Sequence, residues 1–290
     1  MMRMLVFGRS GQVARELSRT APAGTEVRCL GREDVDLAEP GSGAAAIAAA
    51  PADVVVNAAA WTAVDAAETE VAAARRLNAE APGELAEACA SSGLPLLHVS
   101  TDYVFDGSGA APRAPDAPTG PASVYGRSKL AGEAAVLAAA PDAVILRTSW
   151  VFSAHGSNFV RTMLRLGAER DVLTVVDDQI GGPTPAAAIA AALHRIAALR
   201  VAGRGAGGVY HFAGAPDVSW ADFAEVIFER AGLDVRVERI PSAAWPTAAA
   251  RPANSRLDCT STEEVFGVRR PDWREGLADV LDELLPPKDP

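Results

Sequence analysis

Tyr125 and Lys129 stand one helical turn apart in the stretch Tyr125-Gly126-Arg127-Ser128-Lys129. On a helix, positions i and i+4 share a face, so a phenol and an ammonium at this spacing converge on one point. A free tyrosine ionises near pH ~10, and a neighbouring cation favours its charged form. Such a pair suits acid catalysis at an oxygen that gains negative charge as hydride reaches its carbon. Lys129 can also hold the ribose of a nicotinamide cofactor. The spacing alone is weak, because many helices carry Tyr and Lys four apart by chance. Thr101 strengthens it, ending the run Leu96-Leu97-His98-Val99-Ser100-Thr101-Asp102 one strand upstream. Its hydroxyl can donate to a substrate carbonyl. The competing reading of Ser-Thr-Asp is a simple turn cap.

A second block opens the chain. Gly8-Arg9-Ser10-Gly11-Gln12-Val13-Ala14 follows a short apolar run. Glycines at a strand-to-helix junction let the backbone approach a pyrophosphate, whose charge meets the helix N-terminus. Ala14 is small enough for close helix–sheet packing. An acid about 20 residues further on would select NAD. The sequence there is Leu30-Gly31-Arg32-Glu33, so Arg32 favours a 2′-phosphate and NADPH, while Glu33 keeps NADH open. Asp36 and Leu37 can line the adenine site. The small residues of 57–65 let a cofactor lie against the backbone. Trp150, in Arg147-Thr148-Ser149-Trp150, places a ring near the nicotinamide or simply packs.

These blocks need a scaffold. Apolar runs at residues 4–7, 26–30, 53–57, 96–100 and 143–148 read as strands. Residues 12–20, 44–50, 72–90 and 123–140 read as helices between them. Strands apolar on both faces and separated by helices imply a parallel sheet buried on both sides. The fold class is α/β, a Rossmann-type doubly wound parallel sheet with a smaller C-terminal α/β lobe. Residues 1–150 are expected to bind the cofactor and residues 151–290 mainly the substrate, with interleaved segments. In the second part, 158–170, 185–199, 220–231 and 277–285 read as helices and 208–213 as a strand. Residues 106–123, rich in Pro and Gly, read either as a surface loop or as a border of the site.

Composition excludes other classes. The 290 residues carry 27 basic against 37 acidic groups, a formal charge of −10, which argues against a nucleic-acid partner. Cys29, Cys89 and Cys259 show no metal or disulfide spacing. The apolar run 186–199 is broken by His194 and Arg195 and is too short for a bilayer. The expectation is a cytoplasmic protein without a membrane partner.

Taken together, Gly8–Val13, Asn57–Glu68, Ser100–Asp106, Tyr125–Glu133, Arg147–Phe152, Asn158–Leu166, Asp178–Thr184 and Arg251–Leu257 resemble the dTDP-4-dehydrorhamnose reductases, extended short-chain dehydrogenases. The resemblance implies NAD(P)H-dependent reduction of the 4-keto group of dTDP-4-dehydro-L-rhamnose to dTDP-L-rhamnose. It implies Thr101, Tyr125 and Lys129 as catalytic residues, and cofactor contacts from Gly11, Gln12, Val13, Asp36, Leu37, Ala60, Trp61 and Thr62. Thr101, Asp102 and Trp150 are implied as contacts of the sugar nucleotide, with Arg251, Asn254 and Arg256 on the diphosphate side. A related dTDP-4-keto-6-deoxysugar reductase and a non-catalytic regulatory subunit are the alternatives. Some relatives bind Mg²⁺ through glutamates. Glu16 matches one of them, but residues 183–193 offer no carboxylate, so no metal is expected. A homodimer remains open.

Overall fold

The computed structural model describes residues 1–285; residues 286–290 lie outside the described residues. The Val- and Leu-rich runs of the first half form β1 (Met2–Phe7), β2 (Thr25–Leu30), β3 (Val54–Asn57), β4 (Leu96–Thr101) and β5 (Val144–Thr148). Between them lie α1 (Gln12–Arg19), α2 (Ser42–Ala49), α3 (Val64–Ala67), α4 (Val71–Arg75), α5 (Ala81–Ser91) and α6 (Val124–Ala139). The second half continues with β6 (Val151–Phe152), α7 (Phe159–Gly167), β7 (Val172–Val176), β8 (Ile180–Gly181), β9 (Thr184–Pro185) and α8 (Ala186–Val201). It ends with β10 (Gly208–His211), β11 (Val218–Ser219), α9 (Trp220–Ala231), β12 (Arg236–Ile240), β13 (Asn254–Ser255), α10 (Thr260–Phe266) and α11 (Trp273–Leu284).

The central sheet has six strands in the order β10-β5-β4-β3-β1-β2, and every ladder is parallel. Side chains alternate along a strand. Met4 and Val6 therefore pack with Leu17 of α1 and Leu193 of α8, while Leu5 and Phe7 pack with Ile47 of α2 and Leu85 of α5. Both faces are buried, as the apolar runs require. Strand order reverses between β1 and β3, and such a switch point opens a crevice at the carboxyl ends of the strands.

The second half does not form a wholly separate body. β10 completes the edge of the central sheet beside β5, and α8 packs on α1. Around α7, α9 and α11 a second core gathers Val160, Phe223, Ile227, Trp273 and Leu277. Helix α9 has clear end signals: a capping box between Ser219 and Asp222, and Gly232 in the left-handed region at its end. The pairing of β7 with β12 was not expected from either segment, since β12 is mostly exposed and charged and each finds its partner some sixty residues away only in three dimensions.

The largest correction concerns residues 72–90. They run as α4, a π-turn at Arg76–Glu80 and then α5, not as one regular helix. A π-turn shifts a residue out of the regular hydrogen-bond register. It places buried Asn78 so that Oδ1 accepts from the Trp61 N–H (2.8 Å) and Nδ2 donates to Trp61 O (3.1 Å) and to Ser128 Oγ (2.9 Å). One amide thus ties the loop after β3 to the helix bearing Tyr125. Gly132 of α6 lies flat on this turn, where a Cβ would overlap the Asn78 carbonyl oxygen. Gly132→Ala is expected to cost about 1–3 kcal/mol through overpacking, read as a lower denaturant midpoint. An unchanged midpoint would show that the turn yields freely.

Candidate active site

The switch point carries one long groove. At one end it is bordered by Gly8, Gly11, Asp36 and Leu37, and at the other by Thr101, Tyr125, Lys129 and Trp150, with Gly11, Ala58, Ala60 and Thr62 common to both ends. Gly8 sits at φ 115°, and a Cβ there would be 3.0 Å from the Ala58 carbonyl carbon and the Ala59 nitrogen. Only glycine lets the first turn and the β3 loop approach this closely. Helix α1 starts at Gly11 with no side-chain cap, so its first N–H groups face the groove and suit an anion. Gln12 also crosses to the second half: its Oε1 accepts from Ser153 Oγ (2.8 Å) and Asn158 Nδ2 (3.0 Å).

Tyr125 and Lys129 come from the first turns of α6, whose N-terminus is capped by Ser123 Oγ accepting from the Gly126 N–H at 3.1 Å. Gly126 is required there, because a Cβ would overlap the Tyr103 carbonyl oxygen. The Tyr125 ring meets Tyr103 edge-on at 5.4 Å. Burial pushes its phenol up to about 12, with a hydrogen bond from the Thr101 side opposing and the Asp102 charge adding. The protein holds a protonated phenol, because desolvation outweighs any neighbouring cation. Burial also lowers Lys129 to about 8, against the pull of Glu133. Its Nζ donates to Val99 O at 2.8 Å and lies 3.3 Å from His98 Nε2.

Thr101 and Asp102 end β4 beside them. Thr101 Oγ1 donates to Asp102 Oδ1 (3.1 Å) and accepts from the Tyr103 N–H (3.2 Å). Burial raises the Asp102 carboxyl to about 6, and its Oδ2 is buried with no partner among the described residues. Beneath this row lies an ion pair, Arg147 on β5 with Glu133 on α6, at 2.6 Å and almost wholly buried. Ser100 Oγ adds a 2.5 Å bond to the same carboxylate.

Trp150 takes a left-handed φ of 51°, rare for a side chain of this size, and its ring stacks on Trp220 at 3.5 Å. The stack forms a wall between the groove and a second cleft bordered by Tyr103, Phe159, Gln179, Trp220 and Arg251. Arg251 pairs with Asp65 at 2.6 Å, and its Nη1 is buried without a partner among the described residues. Trp220, Tyr103 and Gln179 escaped the sequence reading. Trp220 had been visible only as part of an amphipathic helix.

Three of the expected contacts sit elsewhere, whereas Arg32 stays at the groove. Arg32 borders the groove beside Gly31, Asp36 and Leu37, three-quarters exposed and held only by a 4.0 Å contact with Asp36. Arg9 borders it too, spanning the end of β2 and bound to Glu33 (2.6 Å), Asp34 and Cys29 O (3.3 Å). The Trp61 ring packs on Val124 and Tyr125 and bonds Ala63 O, outside the groove, whereas its neighbours Ala60 and Thr62 line it. Asn254 is buried in β13, where its amide serves the Ser108 and Ala111 carbonyls at 3.3 and 2.9 Å. Arg256 turns back to Asn254 at 3.2 Å, and neither residue lines either cleft. Residues 106–123 are instead stapled to this segment through Arg113 N–H to Arg256 O at 2.9 Å. Glu16 is taken by Arg19 (2.7 Å) and His155 (3.3 Å), and among the described residues no cluster of three His, Cys, Asp or Glu could hold a metal.

The whole chain has close relatives. Residues 2–285 match the family model described as RmlD substrate binding domain. A dTDP-4-dehydrorhamnose reductase of Sinorhizobium fredii is 45% identical over 98% of this chain and 98% of the relative. One of Streptomyces griseus is 45% identical over 97% and 94%. Among solved structures, a dTDP-4-dehydrorhamnose reductase of Clostridium acetobutylicum is 34% identical, with a TM-score of 0.92 over 98% of this chain and 99% of that one. The Bacillus anthracis enzyme, solved in complex with NADP, is 30% identical with a TM-score of 0.91 over 98% and 100%. The glycine turn, the Thr–Tyr–Lys groove and this end-to-end likeness lead to one conclusion: the chain belongs to the dTDP-4-dehydrorhamnose reductase family, whose shared unit is the RmlD substrate binding domain.

Proposed function

We propose that this chain reduces the 4-keto group of dTDP-4-dehydro-L-rhamnose to give dTDP-L-rhamnose, with NADPH as reductant. The carrying observation is that Thr101, Tyr125 and Lys129 meet at one end of a groove whose other end is the glycine turn. When bound, NADPH supplies the hydride. Gly8, Gly11 and the α1 N-terminus hold the diphosphate side of the groove, and Asp36 and Leu37 border its adenosine end. Thr101 Oγ1 and the Tyr125 phenol face the oxygen at C4, and Tyr125 delivers the proton that turns it into a hydroxyl. Arg251, whose Nη1 has no partner among the described residues, answers the sugar-nucleotide diphosphate and offsets the −10 charge locally. Residues 1–150 carry the cofactor and end in Trp150, and the second segment supplies Trp220, the other half of the aromatic wall facing the sugar. No described helix is long and apolar enough to cross a membrane. We place the enzyme in the cytoplasm with a dissolved substrate.

Arg32 and Arg9 both border the adenosine end of the groove and are both assigned to the 2′-phosphate, Arg9 being the one held in place by Glu33 and Asp34. Arg9→Ala is expected to raise KM for NADPH about 10-fold and KM for NADH less than about two-fold, since one charge-assisted contact is lost. Equal shifts for both cofactors would remove Arg9 from this role. The function itself is tested by incubating the protein with NADPH and dTDP-4-dehydro-L-rhamnose and identifying the product. dTDP-L-rhamnose is expected. Its C4 epimer would assign the chain to a different 4-keto sugar.

A further inference from the structure

His98 is buried completely under the groove, and neither substrate nor cofactor chemistry has yet used it. It lies between two groups of opposite demand. On one side, the Ala59 N–H contacts Asn57 at 3.1 Å. A backbone N–H only donates, so the atom facing it is Oδ1, and the Asn57 amide nitrogen turns to His98 Nδ1 at 3.1 Å. That nitrogen also only donates, so Nδ1 accepts and a neutral His98 carries its proton on Nε2. On the other side Nε2 faces Lys129 Nζ at 3.3 Å. An ammonium has no lone pair, and N–H against NH₃⁺ would set donor against donor. The ammonium is therefore disfavoured in this contact and the amine favoured, since the amine gives one hydrogen to Val99 O at 2.8 Å and accepts from His98.

We propose that His98 is a positioning residue whose Nε2–H, fixed by Asn57, holds Lys129 as an exchangeable proton carrier and not as a permanent cation. Once Tyr125 has given its proton to the substrate oxygen, the Lys129 ammonium returns one to the phenolate. The resulting amine accepts the His98 hydrogen bond until water reprotonates it. Burial keeps His98 itself neutral and lowers Lys129 to about 8, in line with this arrangement. The other charges around α6 are already committed. Glu133 pairs with Arg147 of β5, and Arg75, Arg76, Glu80 and Glu84 pair across the π-turn and α5. Glu68 accepts from the Val124 N–H, Asp65 holds Arg251, and Asp102 is bonded to Thr101.

The inference rests on the reductase reading only in its kinetic arm. The direct test is ¹⁵N NMR of histidine-labelled protein, a tractable experiment with four histidines in the chain, His98 being assigned from His98→Gln. The expected result is a neutral Nε2–H tautomer that does not titrate between about pH 6 and 9, far from the usual histidine range. An Nδ1–H tautomer, or a titrating His98, would overturn the proposal even if the wild type turned over no sugar. In kinetics, His98→Leu is expected to lower kcat about 10-fold with KM for NADPH within about two-fold. Its basic limb should move to higher pH, because the amine loses its donor. His98→Gln, whose amide can occupy the Nε2 position, is expected to recover kcat to within about three-fold of wild type. Equal losses in both variants with no movement of the limb would mean a packing role only.

Discussion

Tyr125→Phe is expected to lower kcat by roughly 10²–10⁴-fold, the usual contribution of a positioned acid, with NADPH affinity changed less than about three-fold. Only the phenolic oxygen is lost. The ring keeps its edge contact with Tyr103, and α6 keeps its Ser123 cap. Cofactor titration by fluorescence and steady-state turnover on the same preparation separate the two effects. A loss under about 10-fold would mean that another group protonates the oxygen. The pH dependence follows from the same burial. With the phenol at about 12 and Lys129 at about 8, the acid stays protonated through neutral pH. The decline of kcat on the alkaline side should therefore follow the lysine, starting near pH 8, and a decline only near pH 12 would contradict this.

Arg147→Leu should be the most destabilising single change. Both partners of the Glu133–Arg147 pair have side chains only 4% exposed. Removing the guanidinium leaves Glu133 buried with only Ser100 Oγ to meet it, at a cost of about 3–5 kcal/mol. The pair also joins β5 to α6 one helical turn beyond Lys129, so loss of stability and loss of turnover should appear together. Urea unfolding gives the first. Adding Glu133→Leu should recover a large part of the loss, because a buried pair replaced by apolar groups on both sides removes the stranded charge. A single-mutant loss under about 1 kcal/mol, or no recovery in the double mutant, would show that the charges are solvated after all.

Local signals made part of this site readable from sequence. Tyr125 and Lys129 share a helix turn, Gly8 and Gly11 flank a strand-to-helix junction, and Thr101 ends an apolar run; each is a short-range pattern. The six-stranded sheet was legible for the same reason, since strands buried on both faces are apolar throughout. What stayed hidden depends on partners distant in sequence. Asn78 in the π-turn serves Trp61 and Ser128, partners remote in sequence; the one local sign of the break is Pro82-Gly83 just after it, at the start of α5. Trp220 meets Trp150 only in three dimensions, from a helix 70 residues further along the chain. Arg32 was legible from its place after β2 and does border the groove, but Arg9 joins it only because Asp34, 25 residues on, draws it across. Asn254 and Arg256 have suitable chemistry for an anion, yet the Ser108 and Ala111 carbonyls claimed the amide first.

The central claim is hydride delivery to C4 of the sugar with Tyr125 supplying the proton. It is tested most directly by a single turnover with NADPH deuterated at the transferable C4 position of the nicotinamide. Mass and NMR analysis of the nucleotide sugar should find one deuterium on sugar C4 in wild type and essentially none formed by Tyr125→Phe on the same timescale. Deuterium at another carbon, a product without label, or equal labelling by both proteins would contradict it.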